Sequence, residues 1–235
     1  MINIIQGNAL EIIKSFAPNT FDAIITDPPY SSGGTTNTIR GRSTAEKYTN
    51  TKKHCPYPSF PGDSKDQRSW ANWCAEWLSA CRAVSKGGAV ACIFIDWRQL
   101  PSLTDAIQWA DWTWRGIVVW DKINARPQKG RFKQDAEFVV WASNGQLPAG
   151  RLAPILPGCY HYSMPQAGKR LHQTQKPIDL MRQIVRVCEA NGHILDPFCG
   201  SGTTLEAAQL EGYDCTGIEM LPHYADAAKR RLGLM

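Results

Sequence analysis

Short apolar runs alternate with longer segments of helical period along this chain. Six of the runs predict strands, because they are apolar, often β-branched, and bounded by turn-forming residues. They cover residues 22–26, 88–95, 114–120, 137–142, 193–195 and 214–218. This alternation is typical of an α/β fold in which helices cover both faces of a sheet.

The clearest helical pattern lies between the first two predicted strands. Trp70, Trp73, Trp77, Cys81 and Val84 fall on one face of a helix, and the glycine pair at 87 and 88 predicts its end. A row of tryptophans could also stack nucleic-acid bases. A helical stripe of large apolar residues is far more often core, so we assign these rings to packing.

Two prolines predict the starts of later helices. Pro177 and Pro222 each precede a segment of helical period, and proline suits the first turn of a helix. With 235 residues and 43% apolar content, the chain can build the core of a single domain spanning residues 1–235.

Charge and cysteine content narrow the class of protein. The net charge of +5 suits a polyanionic partner without demonstrating one. The eight cysteines form no C-x-x-C pair and no Cys/His cluster, which indicates buried thiols in a reducing cytosol and no metal site. With no basic leader and no apolar run near 18 residues, we expect a cytoplasmic protein without a membrane span.

Two basic segments interrupt the alternating pattern. Residues 31–69 are rich in Gly, Ser, Thr, Asn and Pro, and residues 121–171 contain the stretch DKINARPQKGRFKQD. Long loops in compact domains are usually functional or disordered, so a solvated insert is the alternative to a role in binding nucleic acid. The candidate DNA-binding residues are Arg40, Arg42, Lys52, Lys53, Arg126, Lys129 and Arg131.

Residues 193–220 predict a complete β-α-β unit with a ligand-binding turn. A strand ends at Asp196, a small-residue turn follows at 200–202, Thr203 opens a helix, and a second strand ends at Glu219. A carboxylate at that strand end can accept both hydroxyls of a ribose. The segment lacks both G-x-G-x-x-G and G-K-[ST], so a cofactor with ribose but no pyrophosphate fits better.

Four motifs together give the chain a family resemblance. DPPY at 27–30, HQTQKP at 172–177, DPFCGSGTT at 196–204 and GIE at 217–219 resemble the S-adenosylmethionine-dependent DNA amino-methyltransferases. The catalytic motif precedes the cofactor motif, which resembles the permuted β-class order. The resemblance implies a single Rossmann-like domain with a seven-stranded, mostly parallel sheet and helices on both faces.

The resemblance also implies a catalytic role for the strand end at DPPY. Asp27 and the carbonyl of Pro28 would accept the hydrogens of an exocyclic amino group, which then attacks the methyl group of the cofactor. Pro29 bars helical geometry at residue 28. Tyr30 would stack a base rotated out of double-stranded DNA. The alternative is that DPPY is only a rigid turn or a polyproline ligand.

The matching motifs place the cofactor as well. The resemblance implies contacts to the methionine and ribose portions from Asp196, Phe198 and the loop containing Gly200, Ser201, Gly202 and Thr203. Glu219 would accept the ribose hydroxyls, and Asn8 would contact the adenine of the cofactor. Thr174, Gln175 and Lys176 would complete the methionine pocket, with Lys176 suited to the carboxylate.

The predicted activity is methylation of adenine N6 in double-stranded DNA. Cytosine-N4 methylation is the alternative. Enzymes of that type often carry Ser in place of the acid, so Asp27 favours adenine. A catalytically silent nucleic-acid-binding module on the same fold is the non-enzyme alternative. The sequence leaves open a homodimer and a companion restriction nuclease of a restriction-modification system.

Overall fold

A computed structural model of the chain describes residues 1–30, 65–165 and 175–235, which contain eight strands and six helices. The strands are β1 (Ile2–Gln6), β2 (Phe21–Thr26), β3 (Ser85–Ile95), β4 (Thr113–Asp121), β5 (Ala136–Ser143), β6 (Cys159–His161), β7 (His193–Asp196) and β8 (Asp214–Glu219). The helices are α1 (Ala9–Ile13), α2 (Gln67–Val84), α3 (Leu100–Trp109), α4 (Ile178–Val185), α5 (Thr203–Leu210) and α6 (Pro222–Arg231).

All eight strands join one sheet in the order β1-β8-β7-β2-β3-β5-β4-β6. Only β5 runs antiparallel to its neighbours β3 and β4, so the described sheet is mostly parallel, as expected. The expected strand number of seven is corrected to eight. The additional edge strand β6 has only three residues, too few for a periodic pattern to be visible in the sequence.

Two helical layers cover the sheet and bury its two faces. Along β2, Ile24 belongs to one apolar cluster, whereas Ala23 and Ile25 belong to the other, as the two-residue period of a strand requires. Phe21 joins the cluster of Ile24, and a register shift separates it from Ala23. Helices α1, α2 and α3 pack on the first face, and α4 and α5 pack on the second. The predicted two-sided α/β architecture is confirmed.

Helix α2 begins after an N-cap at Asp66 and ends differently from expectation. The carboxylate of Asp66 accepts hydrogen bonds from the main-chain N–H groups of Arg68 and Ser69, both at 2.9 Å. The helix does not continue to the glycine pair, because Ser85 is extended and begins β3 at once. Gly88, with φ +80°, lies inside that strand, where the register against β2 shifts.

The two basic segments differ in how far they can be described. Residues 31–64 lie outside the described part of the chain, and with them Arg40, Arg42, Lys52 and Lys53. The segment 121–171 is not one loop, since it contains β5 and β6, and residues 122–135 connect β4 to β5.

The described cysteines and helices are consistent with a folded domain without cross-links. Six of the seven described cysteines are buried and free, and Cys159 is exposed and free. Among the helices of the described ranges, none combines the length and the apolar character needed to cross a bilayer.

Candidate active site

The predicted motifs meet at one edge of the sheet. Strands β2, β7 and β8 are parallel, so Asp27, Asp196 and Glu219 follow or end neighbouring strands at the same side. The Thr26 hydroxyl donates a hydrogen bond to the Asp196 carboxylate at 2.6 Å, which ties β2 to β7 across 170 residues of sequence. The two motifs are therefore parts of one site.

A single pocket at this edge is lined by nearly all of the predicted site residues that the structure describes. They are Asn8, Asp27, Pro28, Pro29, Tyr30, Gln175, Lys176, Asp196, Phe198, Gly200, Ser201, Thr203 and Glu219. Gly202 is not on the pocket wall. It has φ +82° and faces helix α6, where an added Cβ would lie 3.0 Å from the Cβ of Ala228. Thr174 lies outside the described residues.

The DPPY turn is held from outside by an indole. Trp70 Nε1 donates a hydrogen bond to the carbonyl oxygen of Pro29 at 2.8 Å. Trp70 and Trp77 are fully buried, as the packing assignment predicts, while Trp73 is half-buried and lines the pocket. The ring centroid of Trp73 lies 5.3 Å from that of Phe198. Helical spacing alone could not predict that Trp73 lines the pocket while Trp70 and Trp77 are buried in the core.

Asp27 presents its two carboxylate oxygens to different surroundings. Oδ2 lies 2.7 Å from the ammonium nitrogen of Lys176. Oδ1 is buried and accepts no hydrogen bond from the described residues. A buried carboxylate oxygen without a partner is costly unless a ligand supplies a donor. Asp27 lines the pocket, so its carboxylate is a candidate acceptor for a hydrogen-bond donor bound there.

Glu137 is a member of the site that sequence reasoning missed. The Tyr30 hydroxyl donates to Glu137 Oε1 at 2.8 Å, and Lys176 Nζ lies 2.7 Å from the same oxygen. Lys122 Nζ is 3.5 Å from Glu137 Oε2. The signal in the sequence was a single acid at the start of the apolar strand β5. Only the antiparallel direction of β5 brings this strand start to the edge where the parallel strands end.

Burial and neighbouring charges shift the pKa values of Asp27 and Glu137 in opposite directions. Burial raises the pKa of Asp27, and Lys176 opposes the rise while Glu137 adds to it. Burial alone would also raise the pKa of Glu137, but Lys176 and Lys122 outweigh it and lower that pKa below its usual value. Burial would lower the pKa of Lys176, yet the two carboxylates raise it, so this ammonium stays charged.

Lys176 therefore has two carboxylate partners inside the protein. Its side chain is 7% exposed and its nitrogen also lies 3.3 Å from the Tyr30 hydroxyl oxygen. The assignment of Lys176 to the methionine carboxylate stays a prediction. These contacts place the ammonium beside the DPPY turn.

The glycine-containing loop and the strand end at Glu219 are joined by main-chain hydrogen bonds. Glu219 accepts from the N–H of Gly200 at 3.0 Å and from the N–H of Leu221 at 2.8 Å. Burial raises the pKa of Glu219 despite these bonds. Each carboxylate oxygen retains acceptor capacity for a further donor. This arrangement fixes the carboxylate in the pocket wall.

Asp196 and Asn8 are also held by local hydrogen bonds. Burial raises the pKa of Asp196 to about 6, although the carboxylate accepts from Thr26 and from the N–H of Phe198 at 3.1 Å. Asn8 caps α1 by accepting from the N–H of Leu10 at 3.1 Å. Both side chains border the pocket, and their roles toward a cofactor stay predictions.

The loop of residues 122–135 emerges beside the pocket. It begins after β4 and ends at β5, and Lys122 contacts the buried Glu137. Arg126, Lys129 and Arg131 are exposed on it. This basic surface lies at the edge of the sheet that carries the pocket, and its contact with DNA stays a prediction.

The chain is similar in sequence and in fold to known proteins. The chain is 25% identical to the Type II methyltransferase M.HinfI of Haemophilus influenzae, over 97% of this chain and 67% of that protein. It superimposes on a crystal structure of an M1.HpyAVI–SAM complex with a TM-score of 0.72 and 26% identity, covering 99% of each chain. The cytosine-N4-specific PvuII DNA methyltransferase has the same fold, with a TM-score of 0.73 and 18% identity, over 98% of this chain and 86% of that one.

A family model also matches most of the chain. The N6_N4_Mtase family, described as DNA methylase, matches residues 21–154 and 155–230. These ranges contain both the DPPY turn and the loop at 200–202, which the fold unites in one pocket. Since the match covers most of the chain, the protein belongs to the N6_N4_Mtase family of DNA methylases.

Proposed function

We propose that this chain transfers a methyl group from S-adenosylmethionine to the N6 amino group of adenine in double-stranded DNA. The observation that carries the proposal is Asp27, a carboxylate that lines the pocket and has one oxygen, Oδ1, without a partner among the described residues. S-adenosylmethionine is the methyl donor of this family, and it supplies the electrophilic methyl group.

The chemistry of the acceptor explains why an acid is needed. The lone pair of an exocyclic amino group is delocalised into the aromatic ring, so the nitrogen is a poor nucleophile. Asp27 accepts one amino hydrogen, and the carbonyl of Pro28 accepts the other. As the nitrogen attacks the methyl group, the bond between that methyl group and sulfur breaks and S-adenosylhomocysteine leaves. The nitrogen becomes positive until it releases a proton to water, and the carboxylate stabilises that developing charge.

The target base must leave the duplex to reach Asp27. Tyr30 lines the pocket next to Asp27, and its ring is held at the hydroxyl by Glu137. A flat ring fixed in this way offers a stacking face for an extrahelical base. The exposed residues Arg126, Lys129 and Arg131 supply positive charge for the DNA backbone beside the same pocket.

The pocket residues suit S-adenosylmethionine group by group. Glu219, fixed by two main-chain N–H groups, accepts the ribose hydroxyls. Asn8 contacts the adenine, and Phe198 packs along the cofactor between its aromatic neighbours. Gln175 borders the methionine end. These acceptors fit a cofactor that carries ribose hydroxyls.

Cytosine N4 is the second candidate for the acceptor, supported by the fold shared with the cytosine-N4-specific PvuII enzyme. Both amino groups present the same pair of hydrogens, so Asp27 is compatible with either. We favour adenine because cytosine-N4 enzymes often have Ser where Asp27 stands. A homodimer and a companion nuclease stay predictions.

The test is methylation of mixed-sequence duplex DNA with labelled S-adenosylmethionine, followed by nucleoside analysis. We expect N6-methyladenine, and Asp27→Ala serves as the inactive control. N4-methylcytosine as the product would replace the adenine assignment by the cytosine one. Cofactor and DNA binding without any methylated nucleoside would favour the catalytically silent module.

A further inference from the structure

A cluster of two acids and two lysines surrounds the DPPY turn. Asp27 contacts Lys176, Lys176 contacts Glu137, and Glu137 contacts Lys122. The side chains of Lys176 and Glu137 are 7% and 10% exposed, so water screens them little. The proposed mechanism uses Asp27 in the chemical step but gives the buried Glu137 only its hydrogen bond from Tyr30.

We infer that Glu137 is a positioning residue for methyl transfer. Its carboxylate pairs with the ammonium group of Lys176, which also pairs with Asp27, and it orients the ring of Tyr30. This inference rests on the proposed function. It concerns the chemical step and makes no claim about cofactor binding.

The first argument is charge balance at the reacting nitrogen. The two carboxylates and two ammonium groups sum to zero when all four are ionised. Replacing Glu137 by a neutral residue leaves one excess positive charge in this cluster. Of the two carboxylates that contact Lys176, that of Asp27 then remains. A positive surplus opposes an amino nitrogen that becomes positive in the transition state. By balancing part of the positive charge of Lys176, Glu137 therefore allows the negative charge of Asp27 to stabilise the substrate nitrogen.

The second argument is geometric. Glu137 Oε1 accepts from the Tyr30 hydroxyl at 2.8 Å and lies 2.7 Å from Lys176 Nζ. It stands on β5, which is paired on both sides in the sheet by β3 and β4. A carboxylate fixed by a central strand can hold two side chains of the site in a reproducible geometry. The DPPY turn contributes Tyr30 and Asp27, and Glu137 supports both, the second through Lys176.

The charged surroundings of Asp27 give the inference a distinctive pH signature. Lys176, Glu137, Tyr30 and Asp196 are the titratable groups that act on or respond to it. The negative charge of Glu137 raises the pKa of Asp27, and Lys176 lowers it. Removing the charge of Glu137 should lower the pKa of Asp27, whereas removing the charge of Lys176 should raise it. A residue that merely filled space would produce neither shift.

Glu137→Gln tests this inference in single-turnover methylation with cofactor and DNA saturating. The amide keeps an acceptor for Tyr30 but loses the charge, so we expect the step to slow by roughly tenfold to a hundredfold. The acid limb of its pH profile should move to lower pH. Asp135→Asn is the matched control, because it removes one negative charge from the adjoining loop, where Asp135 faces Lys133 at 3.4 Å. It should leave the rate and the pH limb unchanged.

Lys176→Met supplies the complementary test. The acid limb of its pH profile should move to higher pH. Adding Glu137→Gln to Lys176→Met should slow methyl transfer much less than Glu137→Gln does in the wild type, because the ammonium group that Glu137 balances is then absent. An equal cost of Glu137→Gln in both backgrounds, with unmoved pH limbs, would overturn the inference. If Glu137→Gln does not fold, Lys122→Met replaces it, with an expected shift of the acid limb to higher pH and an unmoved limb as the contrary result.

The result for the wild-type protein separates the two proposals. If the wild type methylates no DNA nucleoside, the proposed function fails. If it methylates DNA and Glu137→Gln matches it in rate and pH profile, only the role of Glu137 fails. Retained cofactor affinity and an unchanged melting temperature in Glu137→Gln show that the variant is folded.

Discussion

Trp70 donates a hydrogen bond from its indole nitrogen to the carbonyl oxygen of Pro29 at 2.8 Å, so a core helix holds the DPPY turn directly. The ring is fully buried, and its position in the helical stripe accounts for that burial. Its nitrogen has a second task, because it fixes the turn that carries Asp27 and Tyr30.

Trp70→Phe should therefore affect catalysis as well as stability. It retains an aromatic ring but leaves the Pro29 carbonyl without its donor, which should lower the free energy of unfolding by about 1–3 kcal/mol. A shifted turn should slow single-turnover methylation roughly tenfold. Trp112→Phe is the control, since Trp112 donates a similar bond to the Leu78 carbonyl at 3.0 Å. It should cost stability alone, and equal catalytic losses in both variants would contradict the role of Trp70.

Asp27 is the residue on which the proposed chemistry depends most. Asp27→Asn keeps an acceptor oxygen but loses the charge, so the chemical step should slow by about 10²-fold or more. Asp27→Ala should abolish detectable transfer while S-adenosylmethionine and DNA still bind. Single-turnover methylation with both ligands saturating separates a chemical defect from a binding defect. Near-wild-type turnover of the alanine variant would remove Asp27 from the mechanism.

Glu219 should govern cofactor affinity. Its carboxylate is fixed by the N–H groups of Gly200 and Leu221 and borders the pocket. Glu219→Ala should raise the dissociation constant of S-adenosylmethionine by roughly tenfold to a hundredfold, since charge-assisted hydrogen bonds to the ribose are lost. Calorimetry gives this constant, with Asp105→Ala as the control, since Asp105 is an exposed acid on α3. Wild-type affinity in Glu219→Ala would exclude it from the cofactor site.

The exposed loop cations should control the salt dependence of DNA binding. Replacing Arg126, Lys129 and Arg131 together by Gln should weaken binding and reduce the slope of log K against log salt by about 2 to 3 if each contacts a phosphate. Cofactor affinity should stay the same. Lys14→Gln, an exposed cation after α1, is the control. An unchanged slope in the triple variant would place the DNA elsewhere.

The buried Asp196 should make stability depend on pH. Burial raises its pKa from 3.8 to about 6 in the folded state, so the folded protein holds this proton more tightly than the unfolded chain. The contribution of Asp196 to stability therefore falls as pH rises from about 4 to 6. Over this window the free energy of unfolding of Asp196→Asn should improve relative to wild type by about 3 kcal/mol. Chemical denaturation at pH 4, 5, 6 and 7 measures the difference, and a pH-independent difference would refute the shift.

The sequence by itself determined the elements with strong local signals. Helix α2 follows from its stripe of apolar residues, β2 and β7 from short apolar runs, and the chemistry of their ends from Asp27 and Asp196. These features depend on residues that are close along the chain. Local periodicity, turn chemistry and motif spacing are sufficient for them.

Only the tertiary structure decided which distant side chains meet. Glu137 reaches the DPPY turn because β5 runs antiparallel beside β3, and Lys176 reaches Asp27 from 149 residues away. The edge strand β6 and the direct passage from α2 into β3 likewise depend on pairing with other strands. Strand order and direction are set by packing between segments far apart in sequence. The charge cluster around Asp27 exists only where those segments come together.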